Sequence, residues 1–140
     1  MKRSIFFITL LLGVGFSMFG QSNPEAILGE WLSSKKDSRI VIYKNGTKYY
    51  GKVSWGTGPT KDERNPDPSM RNEELIGQII LKDFVFDQKD NRWTNGTIYD
   101  PHDGKTYSCK MTLIDSRNLS IRGYVGITLF GRSETWTKVN

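Results

Sequence analysis

The stretch Tyr99-Asp100-Pro101-His102-Asp103-Gly104-Lys105-Thr106-Tyr107 gathers two carboxylates, the single histidine, a lysine and two phenols. Such a set could move protons. A carboxylate pair performs glycosidic acid–base work when its members stand roughly 5–9.5 Å apart across a cleft, and a histidine can activate a neighbouring nucleophile. The same residues also make a tight turn: Pro101 presets its own φ, Asp100 and Asp103 can bond nearby backbone, and Gly104 tolerates positive φ. His102 has no second histidine to work with, and no Gly-x-Ser-x-Gly elbow exists. Asp62, Glu63, Asp67, Asp100 and Asp103 offer many carboxylate pairs, yet turn and surface roles account for each of them. A carboxylate-based hydrolase therefore stands as an alternative reading, and no residue is assigned as catalytic. One histidine and one cysteine leave no zinc spacing. Asp62, Asn65 and Asp67 lack the alternating pattern of a calcium loop. Neither a metal nor a cofactor is expected.

The chain opens on a basic pair, Lys2 and Arg3, followed by the apolar stretch Ile5 to Phe19 and then by small residues. That order reads as a signal peptide over residues 1–20, leaving a domain at 21–140 that is exported, periplasmic or secreted. The apolar stretch is shorter than the ~20 residues a span needs, so no integral span is expected in the mature chain. The formal net charge of +5 falls by two once Lys2 and Arg3 are removed, and the remaining bases are scattered. Nucleic acid is thereby excluded as an expected partner. Cys109 is the single cysteine, so no intramolecular disulfide is available. Its alternation with Tyr107, Met111 and Leu113 marks it as a small buried hydrophobe.

Alternating apolar and polar residues run through the rest of the chain. Gly29 to Ser33, Arg39 to Tyr43, Lys48 to Trp55, Gly77 to Phe86, Asn91 to Tyr99, Lys105 to Leu113, Leu119 to Val125 and Phe130 to Val139 read as strands. Asn45-Gly46 is a strong hairpin signal. No amphipathic helix appears, and residues 24–28 add at most a short helical turn. The pattern predicts an all-β fold, a single eight-stranded antiparallel up-and-down barrel, since closure removes the exposed edges.

Gly29-Glu30-Trp31 resembles the Gly-x-Trp that opens lipocalin-like barrels, where the Trp plugs the barrel base and an Arg of the last strand packs over it. That resemblance makes Arg132 the partner of Trp31 at the base. Tyr50-Gly51-Lys52-Val53-Ser54-Trp55, Asn65-Pro66-Asp67-Pro68, Ile98-Tyr99-Asp100-Pro101, Asp103-Gly104-Lys105-Thr106-Tyr107, Arg122-Gly123-Tyr124-Val125-Gly126, Leu129-Phe130-Gly131-Arg132 and Trp136 follow in order. Together they resemble an uncharacterised family of exported bacterial proteins, domain of unknown function 2147. The resemblance implies a small exported lipocalin-like barrel and no particular reaction.

Within such a barrel Tyr49, Trp55, Phe84, Tyr107 and Trp136 are the candidates for lining a ligand site, as apolar walls carrying a few polar points. Only Gly51, Gly96 and Gly123 leave interior room, which favours a filled or nearly filled core. A small apolar or amphiphilic ligand is then expected at the barrel mouth. The long connection from Gly56 to Glu74 is expected either to cover an edge or to fold across one mouth as a lid, with Trp55, Leu75 and Ile76 anchoring its ends. A structural or interaction protein of the cell envelope without a small ligand completes the alternatives.

Overall fold

Eight strands follow one another around a closed antiparallel barrel: β1 Gly29–Leu32, β2 Ser38–Asn45, β3 Lys48–Gly56, β4 Ile79–Asp87, β5 Arg92–Asp100, β6 Lys105–Asp115, β7 Asn118–Tyr124 and β8 Arg132–Lys138. This computed structural model describes residues 23–126 and 131–140. The expected signal peptide and Phe130, the expected start of the last strand, lie outside the described residues. The ring closes where Trp31 stands opposite Lys138 and Leu32 opposite Thr137. Every other pairing joins sequence neighbours, as an up-and-down meander requires.

The two ends differ. At one end a 3-10 turn, Pro24–Ile27, folds under the barrel, with Asn23 accepting from the Glu25 N–H as its cap. The Trp31 indole donates to the Ile27 carbonyl at 2.8 Å, which satisfies a polar group that would otherwise be costly to bury. Above this plug, Tyr49 meets Trp93 edge-on at 6.3 Å and Phe86 tilts against Trp93 at 5.0 Å. Met111, Leu119 and Cys109 complete the packed half. Burial of each large side chain here is worth about 1.5–3 kcal/mol.

Glycines make that packing possible. A Cβ on Gly96 would lie 2.4 Å from the Phe84 ring, and one on Gly51 would lie 2.7 Å from Leu81 Cδ1. Phe84 and Leu81 thus occupy the room those glycines leave. Two bulges assist. Asp83 and Asn95 adopt positive φ (64° and 62°), and the register shifts beside them. Each bulge turns residues three apart, Leu81 with Phe84 and Trp93 with Gly96, toward the same interior.

At the other end the core stops short. The loops 33–37, 57–78 and 101–104 surround an opening whose interior side chains are Ile40, Ile80, Ile98, Tyr107, Ile121 and Trp136. The barrel is filled below and hollow above, so the expectation of a nearly filled core holds for one half alone. Gly123 belongs to the hollow half: a Cβ there would meet nothing closer than 3.7 Å.

Candidate functional site

The hollow end holds a cavity of about 370 Å³ that is open to solvent at the mouth. Ile40, Ile80, Ile98, Ile121 and Trp136 form its apolar lining, and Gly123 widens it. Its polar side chains include Ser33, Lys35, Asp37, Asp100, His102, Asp103, Tyr107, Arg132 and Glu134. Most of these groups are already positioned by a neighbour. Arg132 donates to Glu134 at 2.6 Å, and Ser33 Oγ donates to Asp37 at 2.9 Å. Asp100 accepts from the His102 backbone at 2.9 Å and lies 3.1 Å from His102 Nδ1. The Tyr107 phenol donates to Asp103, a bond that holds its pKa above the ordinary value. The Trp136 indole is buried, and its N–H has no partner among the described residues.

A second cavity of about 240 Å³ adjoins the first. Val53, Pro59, Leu75, Ile76 and Ile80 give it an apolar lining, with Lys61, Glu63 and Arg64 among its polar members. Both cavities are bounded by Asp37, Ser38, Ile80, Pro101 and His102.

The long β3–β4 connection, 57–78, forms the outer wall of this side chamber. It is well structured: Asp62 N–H donates to the Glu73 carbonyl and Leu75 N–H to the Thr60 carbonyl, so its two arms pair. Lys61 and Glu74 face each other across them at 2.8 Å. A 3-10 turn, Pro68–Met70, capped by Asp67, forms its tip. One carboxylate ties the loop to the barrel. Asp62, 1 % exposed, accepts from the Tyr99 phenol at 2.6 Å, from Asn65 at 2.8 Å and from Gln78 at 3.1 Å. Three donors to one buried carboxylate meet its hydrogen-bonding demand. Burial and then the bond to Asp62 push the Tyr99 pKa well above the usual phenol range. Gly104 completes the attachment: its φ is +71°, and a Cβ would fall 1.9 Å from the Arg64 carbonyl oxygen.

Tyr107 and Trp136 line the main cavity. Tyr49 and Phe84 belong to the packed half, where Phe84 fills the space beside Gly96. Trp55 faces outward, 39 % exposed, beneath the Arg39 guanidinium at 5.2 Å. Simple alternation would have put Trp55 inside with Val53. The bulge at Arg39/Ile40 pairs Val53 with Ile40 but Trp55 with Arg39, and so reverses its side.

The expected pairing of Arg132 with Trp31 also fails, because they sit at opposite ends of the barrel. Arg132 begins β8 at the hollow mouth. Lys138, at the end of β8, holds its ammonium 4.7 Å from the Trp31 ring and donates to the Leu28 carbonyl. Burial lowers the Lys138 pKa. Nor do Trp55 and Ile76 anchor the loop, since Ile76 is 56 % exposed. The anchor is Asp62, which the sequence offered as one of several loop carboxylates with no sign that it is buried. Of the other carboxylates considered, Asp100 and Asp103 stand at the main cavity, Glu63 at the side chamber and Asp67 at the loop tip.

The fold is similar to that of a solved structure. A structure titled "Protein HP1028 from the human pathogen Helicobacter pylori belongs to the lipocalin family" superimposes with a TM-score of 0.74 at 22% sequence identity, covering 81% of this chain and 83% of that one. Among curated proteins, none matches. The family described as "Uncharacterized protein conserved in bacteria (DUF2147)" matches residues 29–138, from the first residue of β1 to the last of β8. The chain therefore belongs to that bacterial family and carries its sequence on a lipocalin-like barrel.

Proposed function

We propose that this protein is an exported binding protein that holds a small amphiphile in the hollow mouth of its barrel. The observation that carries this reading is the asymmetry of the interior: one end is plugged by Trp31 and the Pro24–Ile27 turn, while the other keeps a cavity of about 370 Å³ with an apolar lining and a polar rim. Sites that hold small molecules have this composition. The rim restricts the polar group of the ligand. Asp37, Asp100, Asp103 and Glu134 outnumber Lys35 and Arg132 among the lining residues, so an uncharged or cationic group is favoured over an anion. A carbonyl or hydroxyl oxygen reaching Trp136 would satisfy its unpartnered indole N–H. Export rests on the basic start and the apolar stretch Ile5 to Phe19.

Fractionation of the host, followed by native mass spectrometry of the intact protein, tests both parts. The protein is expected in the periplasmic or culture fraction, without residues 1–20 and with a small apolar-tailed molecule retained. Recovery with the cytoplasm would overturn export. Failure of the purified protein to bind any of a panel of neutral and cationic amphiphiles would overturn the ligand reading.

A further inference from the structure

We propose that the side chamber under the 57–78 loop is a second subsite, which takes the apolar chain of the ligand whose polar part sits in the main cavity. This rests on the mouth being a ligand site and adds where the chain goes. A chain that stays within the protein can run downward or sideways from the main cavity. Downward, Phe84 and Leu81 fill the space beside Gly96 and Gly51, and Trp31 and Trp93 occupy the plugged end. Sideways, the boundary is shared: Asp37, Ser38, Ile80, Pro101 and His102 border both spaces. Beyond it stand Val53, Pro59, Leu75 and Ile76, an apolar lining suited to methylene groups. The loop forming the outer wall is held by the Asp62–Tyr99 bond and by the close approach of Arg64 to Gly104, so the chamber is built before any ligand arrives. A preformed wall lowers the ordering cost of binding.

Gly58 provides a direct test. It borders the side chamber but not the main cavity, and a Cβ there would meet nothing within 4 Å. Gly58→Phe therefore blocks the chamber with little strain on the fold. Ile76→Asp, at an exposed position, puts a charge on the same wall and serves as a second variant. Monoacylglycerols with butanoyl, octanoyl and dodecanoyl chains share one uncharged head and are titrated calorimetrically into the wild-type protein and both variants.

Wild-type affinity is expected to rise with chain length, by up to about fourfold for each methylene buried. In both variants the butanoyl compound should bind as in wild type, and the dodecanoyl compound should bind at least about tenfold more weakly. Equal chain-length dependence in all three proteins would overturn the side-chamber assignment while leaving the mouth site standing. Failure of every homologue to bind wild type would overturn the assignment together with the mouth site.

Discussion

Phe84 rests against Gly96 and Leu81 against Gly51, whereas the space beside Gly123 stays open to 3.7 Å. Three glycines at interior positions thus have two different consequences, set by the size of the side chain that each one faces. At the plugged end a single cation matters in the same local way. Lys138 covers Trp31 and bonds the Leu28 carbonyl, while Arg132 is an exposed rim residue paired with Glu134. Thermal unfolding should separate the two. Lys138→Ala is expected to cost about 1–2 kcal/mol through the lost cation–π contact and hydrogen bond. Arg132→Ala should stay within about 0.5 kcal/mol of wild type, as surface substitutions do. A larger loss for Arg132→Ala than for Lys138→Ala would contradict this division between an exposed rim cation and a packed base cation. Cys109 shows a third local effect, since burial pushes its thiol pKa up to about 12 and leaves it inert as a nucleophile.

The 57–78 loop is the element that shapes the site, and the Asp62–Tyr99 bond is its main fastening. Tyr99→Phe leaves Asp62 buried with one donor fewer, and faster amide exchange across 57–78 is expected. The pH dependence has a definite sign. Tyr99 has a folded pKa raised above the ordinary phenol value of about 10, so its contribution is fully present below that value. It is lost as pH rises through the folded pKa. Alkaline titration of loop protection should show this loss in wild type and not in Tyr99→Phe; identical alkaline profiles would contradict the fastening. The meander itself was legible in the sequence, because alternation is local and repeats in each strand. The fastening was not, since Asp62 and Tyr99 are distant along the chain and meet only after the barrel closes. Bulges hid Trp55 for a related reason: a one-residue shift reverses a side chain without changing the apolar pattern.

For the whole molecule, one barrel combines a solid half that supplies stability with a hollow half that leaves a cavity. The sequence made closure and the interior residue types readable. The depth of filling depended on which large side chain met which glycine, and only packing decides that. Tyr107 and Trp136 were recognisable as interior rings, but Arg132 and Glu134 at the same mouth became site residues only once the direction of β8 was known. Gly123→Leu tests the hollow half most directly, because an ordinary 3.7 Å contact admits the Cβ and the rest of the side chain enters the cavity. Calorimetric titration of this variant with octanoyl monoacylglycerol should show affinity reduced at least about tenfold from wild type, with melting little changed. A folded Gly123→Leu protein that binds as wild type does would contradict the claim that the barrel mouth is the binding site.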